Sequence, residues 1–341
     1  MSQAVPLLEV APLSFGAALI LTPLLRRVAL LTGSLDHPDD RKVHPAPTPL
    51  LGGVAVAAAL IAGPLIASAA FRSAIAPPHP GILAGGALSL ALGSWDDRRP
   101  MSASGKLLGQ LAAALLLVYW GTDVPLFRSN PLAGAAALVG VVALLNAINF
   151  LDAADGIVAA LVPVTAGGFV ALALLHGAGV NLALAWGLVG ACCGFLVYNA
   201  PPARIFLGDA GSHLLGFALA ALGLEALQRE LTLPHLAGVL LLFAYPLFDV
   251  VFVIVDRLLG RRPIHHAGVD HTTHRLGRLC GQWGTVAVIT VMVSVNTCVG
   301  VWCWSVTSAA AALGALAVSG LGYAVLGTWL RRVCPTPRFD T

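Results

Sequence analysis

"NAINFLDAADGI", residues 146–157, closes a long apolar run with four polar groups, Asn146, Asn149, Asp152 and Asp155, each three residues after the last. Whether that run lies in lipid or in a soluble core decides the fold. A carboxylate at the bilayer centre costs about 3 kcal/mol on insertion scales, so Asp152 and Asp155 should face water, a cation or a ligand. On an α-helix, steps of three drift by about 60°, which makes Asn149 and Asp152 neighbours while Asn146 and Asp155 diverge. The set converges only where the helix ends or tightens, and Gly156 supplies such a break. A solvated helix end with polar caps is the plain alternative.

Outward from that stretch the whole chain is apolar. Of 341 residues, 58% are hydrophobic and 10% charged, where a soluble domain carries about 25% charged residues. The chain therefore reads as all-α, a polytopic integral membrane helix bundle forming one catalytic domain over residues 1–341, with no room for a large soluble domain. The sequence predicts about eleven transmembrane helices, near 8–31, 51–71, 81–95, 105–121, 132–151, 156–176, 181–198, 213–230, 235–257, 282–304 and 306–330. Proline-rich breaks such as "APPHPG" (76–81) and "NAPPAR" (199–204) separate them. The opening "MSQAVPLLEV" lacks the basic start and small-residue cleavage site of a removable signal, so the first helix is expected to stay. The six cysteines have no paired metal spacing, and a net charge of +3 implies no nucleic-acid partner.

With an odd number of spans, the Lys and Arg residues sort by loop. Arg72, Arg128 and Arg229 fall on one side and the other sixteen on the opposite side. By the positive-inside rule the N-terminus is expected outside and the C-terminus in the cytoplasm. The same sorting gathers the unusual polar segments on the cytoplasmic side: "LDHPDDRKVHPAPTPLLGG" (35–53), "SWDDRRPMSASGK" (94–106), residues 146–157, "YNAPPARIFLGDAGSH" (198–213) and "RRPIHHAGVDHTTHRLG" (261–277). A transporter would more often keep its ionisable groups near the midplane.

These segments suit one chemistry. Asp96 and Asp97 lie at a helix C-terminus, where acids are unfavourable unless Arg98 and Arg99 or another cation neutralise them. Hard oxygen ligands without cysteine suit Mg²⁺, which keeps waters and takes one or two carboxylates plus phosphate oxygens. Asp209, between two glycines before an apolar helix, is a metal candidate beside amides open to an anion, or else a plain helix cap. The histidines 265, 266, 271 and 274 lack the further ligands of a zinc site, so phosphate contacts or proton transfer are preferred. Together the segments describe Mg²⁺-assisted phosphoryl transfer at a membrane surface. Asp249, seven residues before Asp256, should face the bundle interior, with structural support as its preferred role.

The motifs "DHPDDRKVHPAPTPLLGG", "DDRRPMSASGKLLGQ", "NAINFLDAADG", "YNAPPARIFLGDAGS" and "DHTTHRL", in this order, give the chain its resemblance to the polyprenyl-phosphate N-acetylhexosamine-1-phosphate transferases, which include the phospho-N-acetylmuramoyl-pentapeptide transferases. The resemblance implies transfer of a sugar 1-phosphate, expected to be GlcNAc 1-phosphate, from a UDP-N-acetylhexosamine to polyprenyl (undecaprenyl) phosphate, with release of UMP. It implies Mg²⁺, with Mn²⁺ as a substitute, held by Asp209, Asn149 and Asp152. Asp96, Asp97, Asp152 and Asp155 are the implied catalytic carboxylates. Asp96 or Asp97 would receive or exclude the lipid-phosphate proton, with an aspartyl-phosphate nucleophile as the alternative. Asn199 and Phe206 match positions associated with uridine; Lys106, His271, His274 and Arg275 would hold phosphates, and Arg41, Lys42 and His44 would complete a basic rim. The implied setting is the bacterial plasma membrane with the site facing the cytoplasm, and a homodimer is compatible with it. Thr273 between His271 and His274, and Ala153 in place of a common glycine, depart from the pattern. The absence of three successive histidines favours the simpler UDP-sugar branch over the pentapeptide donor. An anion transporter, and a prenyltransferase using the Asp152/Asp155 pair, are the rivals of different class.

Overall fold

The computed structural model describes residues 7–38, 46–72, 74–263, 268 and 270–335. Arg41, Lys42 and His44, like His265 and His266, lie outside them. The described chain is helical: α1 (Val10–Thr32), α2 (Gly52–Phe71), α3 (Pro80–Asp96), α4 (Ala103–Leu116), α5 (Pro125–Ser129), α6 (Pro131–Leu151), α7 (Ile157–His176), α8 (Leu182–Asn199), α9 (Gly208–Ala226), α10 (Leu233–Leu242), α11 (Ala244–Leu259), α12 (Thr272–Cys303) and α13 (Ala309–Val333). A wider turn over Leu117–Gly121 continues α4. The one departure from all-α, among the described residues, is a two-residue antiparallel pair, β1 (Leu35–Asp36) with β2 (Thr48–Pro49).

Each of the eleven expected segments is helical, but they are not equivalent. Among the described residues, eight helices are long and apolar enough to cross a membrane, and α10 with α11 would make a ninth span, bent by 72°. The bend corrects the expectation of one straight helix over 235–257. Pro246 has no N–H to bond the carbonyl of Leu242, so α10 ends at Leu242 and the proline falls in the first turn of α11, where an amide has no helical partner anyway. Of the other two, α3 has 17 residues, and α9 carries Asp209, Ser212, His213 and Glu225. Helix α9 tolerates them because protein rather than lipid surrounds it: it packs against α2, α3, α6 and α7. Leu31, Ile61, Leu108, Leu132, Val139 and Val318, by contrast, are exposed on the outside of the bundle, as an apolar solvent permits.

Small residues allow the close approach around α9. A Cβ on Gly53 would stand 2.2 Å from the Gly211 nitrogen, and one on Gly93 would stand 2.1 Å from the Asp209 carbonyl oxygen. The first turn of α9 is thereby pressed between the start of α2 and the end of α3. Backbone bonds continue the contact, from Gly52 N–H to Phe206 O (3.1 Å), Gly53 N–H to Leu207 O (2.8 Å) and Phe206 N–H to Pro49 O (2.8 Å).

Candidate active site

The end of α3, the start of α4, the end of α6 and the start of α9 meet at one end of the bundle. Asp96 ends α3, and its Oδ1 accepts the Met101 N–H at 2.7 Å, which turns the chain back into α4. Ser102 caps α4 by accepting the Gly105 N–H at 3.2 Å. Lys106, one turn into α4, reaches back and bridges two acids: Nζ pairs with Asp96 and donates to Asp209 Oδ2 at 2.9 Å.

The amides at the start of α9 are already occupied. Gly208 adopts φ of 73°, and the next two N–H groups, of Asp209 and Ala210, donate to Asp97 Oδ1 at 2.8 Å and Oδ2 at 3.1 Å. The expected anion at this helix N-terminus is thus the chain's own Asp97 carboxylate. Burial and then the Asp209 charge push the Asp97 carboxyl up to about 7, against the two amides, with Asp96 adding to the rise. Asp152, just past α6, is held well above the carboxylate range by close packing and then by Asp209, Asp97 and Asp155, opposed by the Gly208 amide. The acids 97, 152 and 209, far apart in sequence, therefore share one site.

Asn149 braces Asp209. Its Nδ2 donates to Asp209 Oδ1 at 2.7 Å and to Ser212 Oγ at 2.9 Å, so it turns its nitrogen, not its oxygen, towards Asp209. Through that nitrogen it orients the Asp209 carboxylate. Behind it lies a network of polar side chains to which the sequence assigned no role. His213 Nδ1 lies 2.8 Å from the Asp209 carbonyl, which can only accept, so Nδ1 carries a hydrogen and Nε2 accepts from Gln110 Nε2 at 3.1 Å. Gln110 and Asn146 exchange amide bonds at 2.8 and 3.2 Å, and the second Asn146 hydrogen goes to the Val142 carbonyl at 2.8 Å. Gln110 and His213 close two of the quoted polar segments, and their cost in lipid was the available signal.

Asp155 and Asn199 serve the neighbouring loops. Asp155 Oδ2 accepts the Ala203 N–H at 2.9 Å. Asn199, 4% exposed, accepts the Gly156 N–H at 3.1 Å and donates to the Ile205 carbonyl at 3.0 Å. Its carboxamide clamps two loops. Phe206, half-buried, follows on the same loop beside Asp209.

Residues 249–275 split into two groups. His271 precedes α12 and its Nδ1 lies 2.6 Å from Asp249 Oδ2, while its ring centroid lies 5.6 Å from that of Phe150, which places it next to the Asn149–Asp152 corner. His274 follows one turn on, 6.3 Å from His271 between ring centroids. Arg275 is not at the site. It is fully buried, stacks over Phe252 and spends its donors on Asp256 (2.6 Å), the Asp270 carbonyl (3.2 Å) and the Cys334 carbonyl (3.0 Å). The phosphate role implied for it is corrected to a structural one, because a guanidinium with no exposed surface, bonded on all three nitrogens within the protein, cannot also grip a ligand. Asp256 also receives Arg262 at 2.6 Å and Arg331 at 2.7 Å, and Asp270 receives Arg257 at 2.8 Å and Arg262 at 3.0 Å.

Among the described residues, no three His, Cys, Asp or Glu side chains are disposed to hold a metal ion by themselves. Mg²⁺ takes few protein ligands and keeps waters. The Lys106 ammonium between Asp96 and Asp209 shows that the carboxylates already accommodate a cation. The donor set fits a hard divalent ion on Asp209, with Asp96 or Asp152 beside it.

Fold and site define a polytopic helical protein with an acidic, lysine-bridged site at one end of its bundle. Residues 79–226, which span Asp96 to Asp209, match Glycosyl transferase family 4. The chain is 32% identical to the probable undecaprenyl-phosphate N-acetylglucosaminyl 1-phosphate transferase of Bacillus subtilis, over 77% of this chain and 75% of that protein. It is 31% identical to the decaprenyl-phosphate N-acetylglucosaminephosphotransferase of Mycobacterium tuberculosis, over 96% and 91%. The phospho-N-acetylmuramoyl-pentapeptide-transferase of Moorella thermoacetica is 33% identical over 71% and 82%. The chain belongs to glycosyl transferase family 4, as its motifs anticipated.

Proposed function

We propose that the chain transfers GlcNAc 1-phosphate from UDP-N-acetylglucosamine to a polyprenyl phosphate, releasing UMP and starting a cell-wall or surface polymer. The names of its relatives support the substrates. The observation that carries the reading is the convergence of Asp97, Asp209, Lys106 and Asn149 through direct bonds at one end of the bundle. In the reaction an oxygen of the acceptor phosphate bonds to the sugar-linked phosphorus. The bond from that phosphorus to the bridging oxygen breaks, and the electron pair leaves with UMP. Asp209 would hold Mg²⁺, whose charge would offset that of the diphosphate. Asp97, anchored on α9 with a pKa near neutrality, takes the last proton of the acceptor phosphate so that the dianion attacks. Lys106 exchanges its carboxylate partners for donor phosphate oxygens, and Phe206 offers a stacking face to uracil. The site faces the cytoplasm of a bacterial plasma membrane, a reading supported by the uneven distribution of Lys and Arg.

The test is UMP release by purified protein given undecaprenyl phosphate and, separately, UDP-GlcNAc, UDP-GalNAc and UDP-MurNAc-pentapeptide, with and without Mg²⁺ or Mn²⁺. UDP-GlcNAc should support release that requires both lipid phosphate and a divalent ion. Turnover with the pentapeptide donor alone would move the chain to the other branch. No UMP from any donor would end the proposal.

A further inference from the structure

Asp249, on α11, is fully buried, yet it is joined to His271, whose ring packs beside Phe150 at the end of α6. Its Oδ1 accepts the Thr272 N–H at 2.8 Å and the Thr272 hydroxyl at 2.6 Å. Having given its hydrogen to Asp249, that hydroxyl accepts from the Tyr245 O–H at 2.8 Å. Every hydrogen around the carboxylate therefore points at it, and it offers His271 a lone pair only. The hydrogen of the 2.6 Å contact belongs to His271 Nδ1. Nε2 of the neutral ring is then bare, and it makes no hydrogen bond among the described residues.

We infer that Asp249 is a positioning residue: it fixes His271 as the Nδ1–H tautomer, so that the ring gains and loses its proton at Nε2, facing the substrate phosphates. This rests on the phosphoryl transfer proposed above. With the diphosphate bound, His271 carries a second proton from solvent on Nε2, stabilised by the Asp249 carboxylate. As the new P–O bond forms and the bridging P–O bond breaks, that proton passes to the departing UMP oxygen. The ring returns to the neutral Nδ1–H form. Thr272 and Tyr245 hold Asp249 in place and set the angle at which it meets the ring. A carboxylate behind a histidine governs which nitrogen works, and its loss costs turnover through the wrong tautomer.

The experiment uses the full chain in nanodiscs with ¹⁵N-labelled histidine, the His271 signals being assigned by their loss in His271→Gln. At pH 8.5 the wild-type ring should be protonated at Nδ1. In Asp249→Asn the amide nitrogen would face the ring, which should invert to Nε2–H while UMP release falls about a hundredfold. The double variant Asp249→Asn/His271→Gln should be no slower than His271→Gln, because Asp249 acts only through the ring. A wild-type ring protonated at Nε2 overturns the inference. So does unchanged turnover in Asp249→Asn, or a further tenfold loss in the double variant. If Asp249→Asn fails to fold, the wild-type spectrum alone decides. If the wild type releases no UMP, the proposed reaction falls, and the spectrum still tests the tautomer separately.

Discussion

The Lys106 ammonium sits between Asp96 and Asp209, where a divalent ion with phosphates would have to place its charge. In the reaction proposed above it would be a tethered competitor for that ion as well as a phosphate contact. Lys106→Met should tighten Mn²⁺ binding about tenfold in the absence of substrate, by electron paramagnetic resonance titration, while lowering UMP release at least a hundredfold; about 1.4 kcal/mol of relieved repulsion would suffice. The raised pKa values set a second signature. Asp97, up to about 7 from an ordinary value of 3.8, and Asp152, shifted the same way, bind protons more tightly folded than unfolded. The stability these two groups contribute is therefore fully present below about pH 4 and is lost as pH rises through 7. Metal-free protein should melt higher at pH 5 than at pH 8, and Mg²⁺ should raise the melting temperature more at pH 8, both by scanning fluorimetry. Equal Mg²⁺ shifts at the two pH values would contradict this. At this scale the acids and Asn149 were legible because each costs too much in lipid to lack a purpose. The partners that saturate Arg275 and Asn199 were not legible, since they are mostly backbone carbonyls and amides that carry no sequence signal.

Helix α9 shows how elements place those residues. Its first turn begins at a left-handed Gly208, presents two amides to Asp97 and is pressed against α3 at Gly93. Gly93→Ala would drive a methyl group to 2.1 Å from the Asp209 carbonyl oxygen, and overpacking of this kind costs about 1–3 kcal/mol. The variant should melt lower and lose most UMP release, whereas Gly140→Ala, with nothing within 4 Å, should leave both unchanged. Similar behaviour of the two variants would show that the contact does not position Asp209. Helix existence was legible throughout from apolar run length. The start of α9 and the break between α10 and α11 were not, because the first depends on a carboxylate from another helix and the second on one proline within an unbroken apolar run.

Across the whole molecule, Asp256 joins α11 to α12, α13 and the segment between them through Arg262, Arg275 and Arg331. Removing its charge would leave a buried Arg275 short of its counter-ion, a loss of about 3–5 kcal/mol for pairs of this kind. Asp256→Asn should lower the melting temperature markedly in nanodiscs, and an unchanged melt would show that the cluster does not hold these helices together. Composition and apolar run length by themselves determined that this is a membrane helix bundle, and motif order determined its family, because lipid admits few chain patterns and the motifs are long. Only tertiary structure decided which polar groups reach the site and which brace it. Asp97 and Asp256 are both acids near helix ends beside arginines, alike in sequence. One settles on the N-terminal amides of α9 within the site and the other among three guanidiniums away from it, a difference set by what packing brings within hydrogen-bond range.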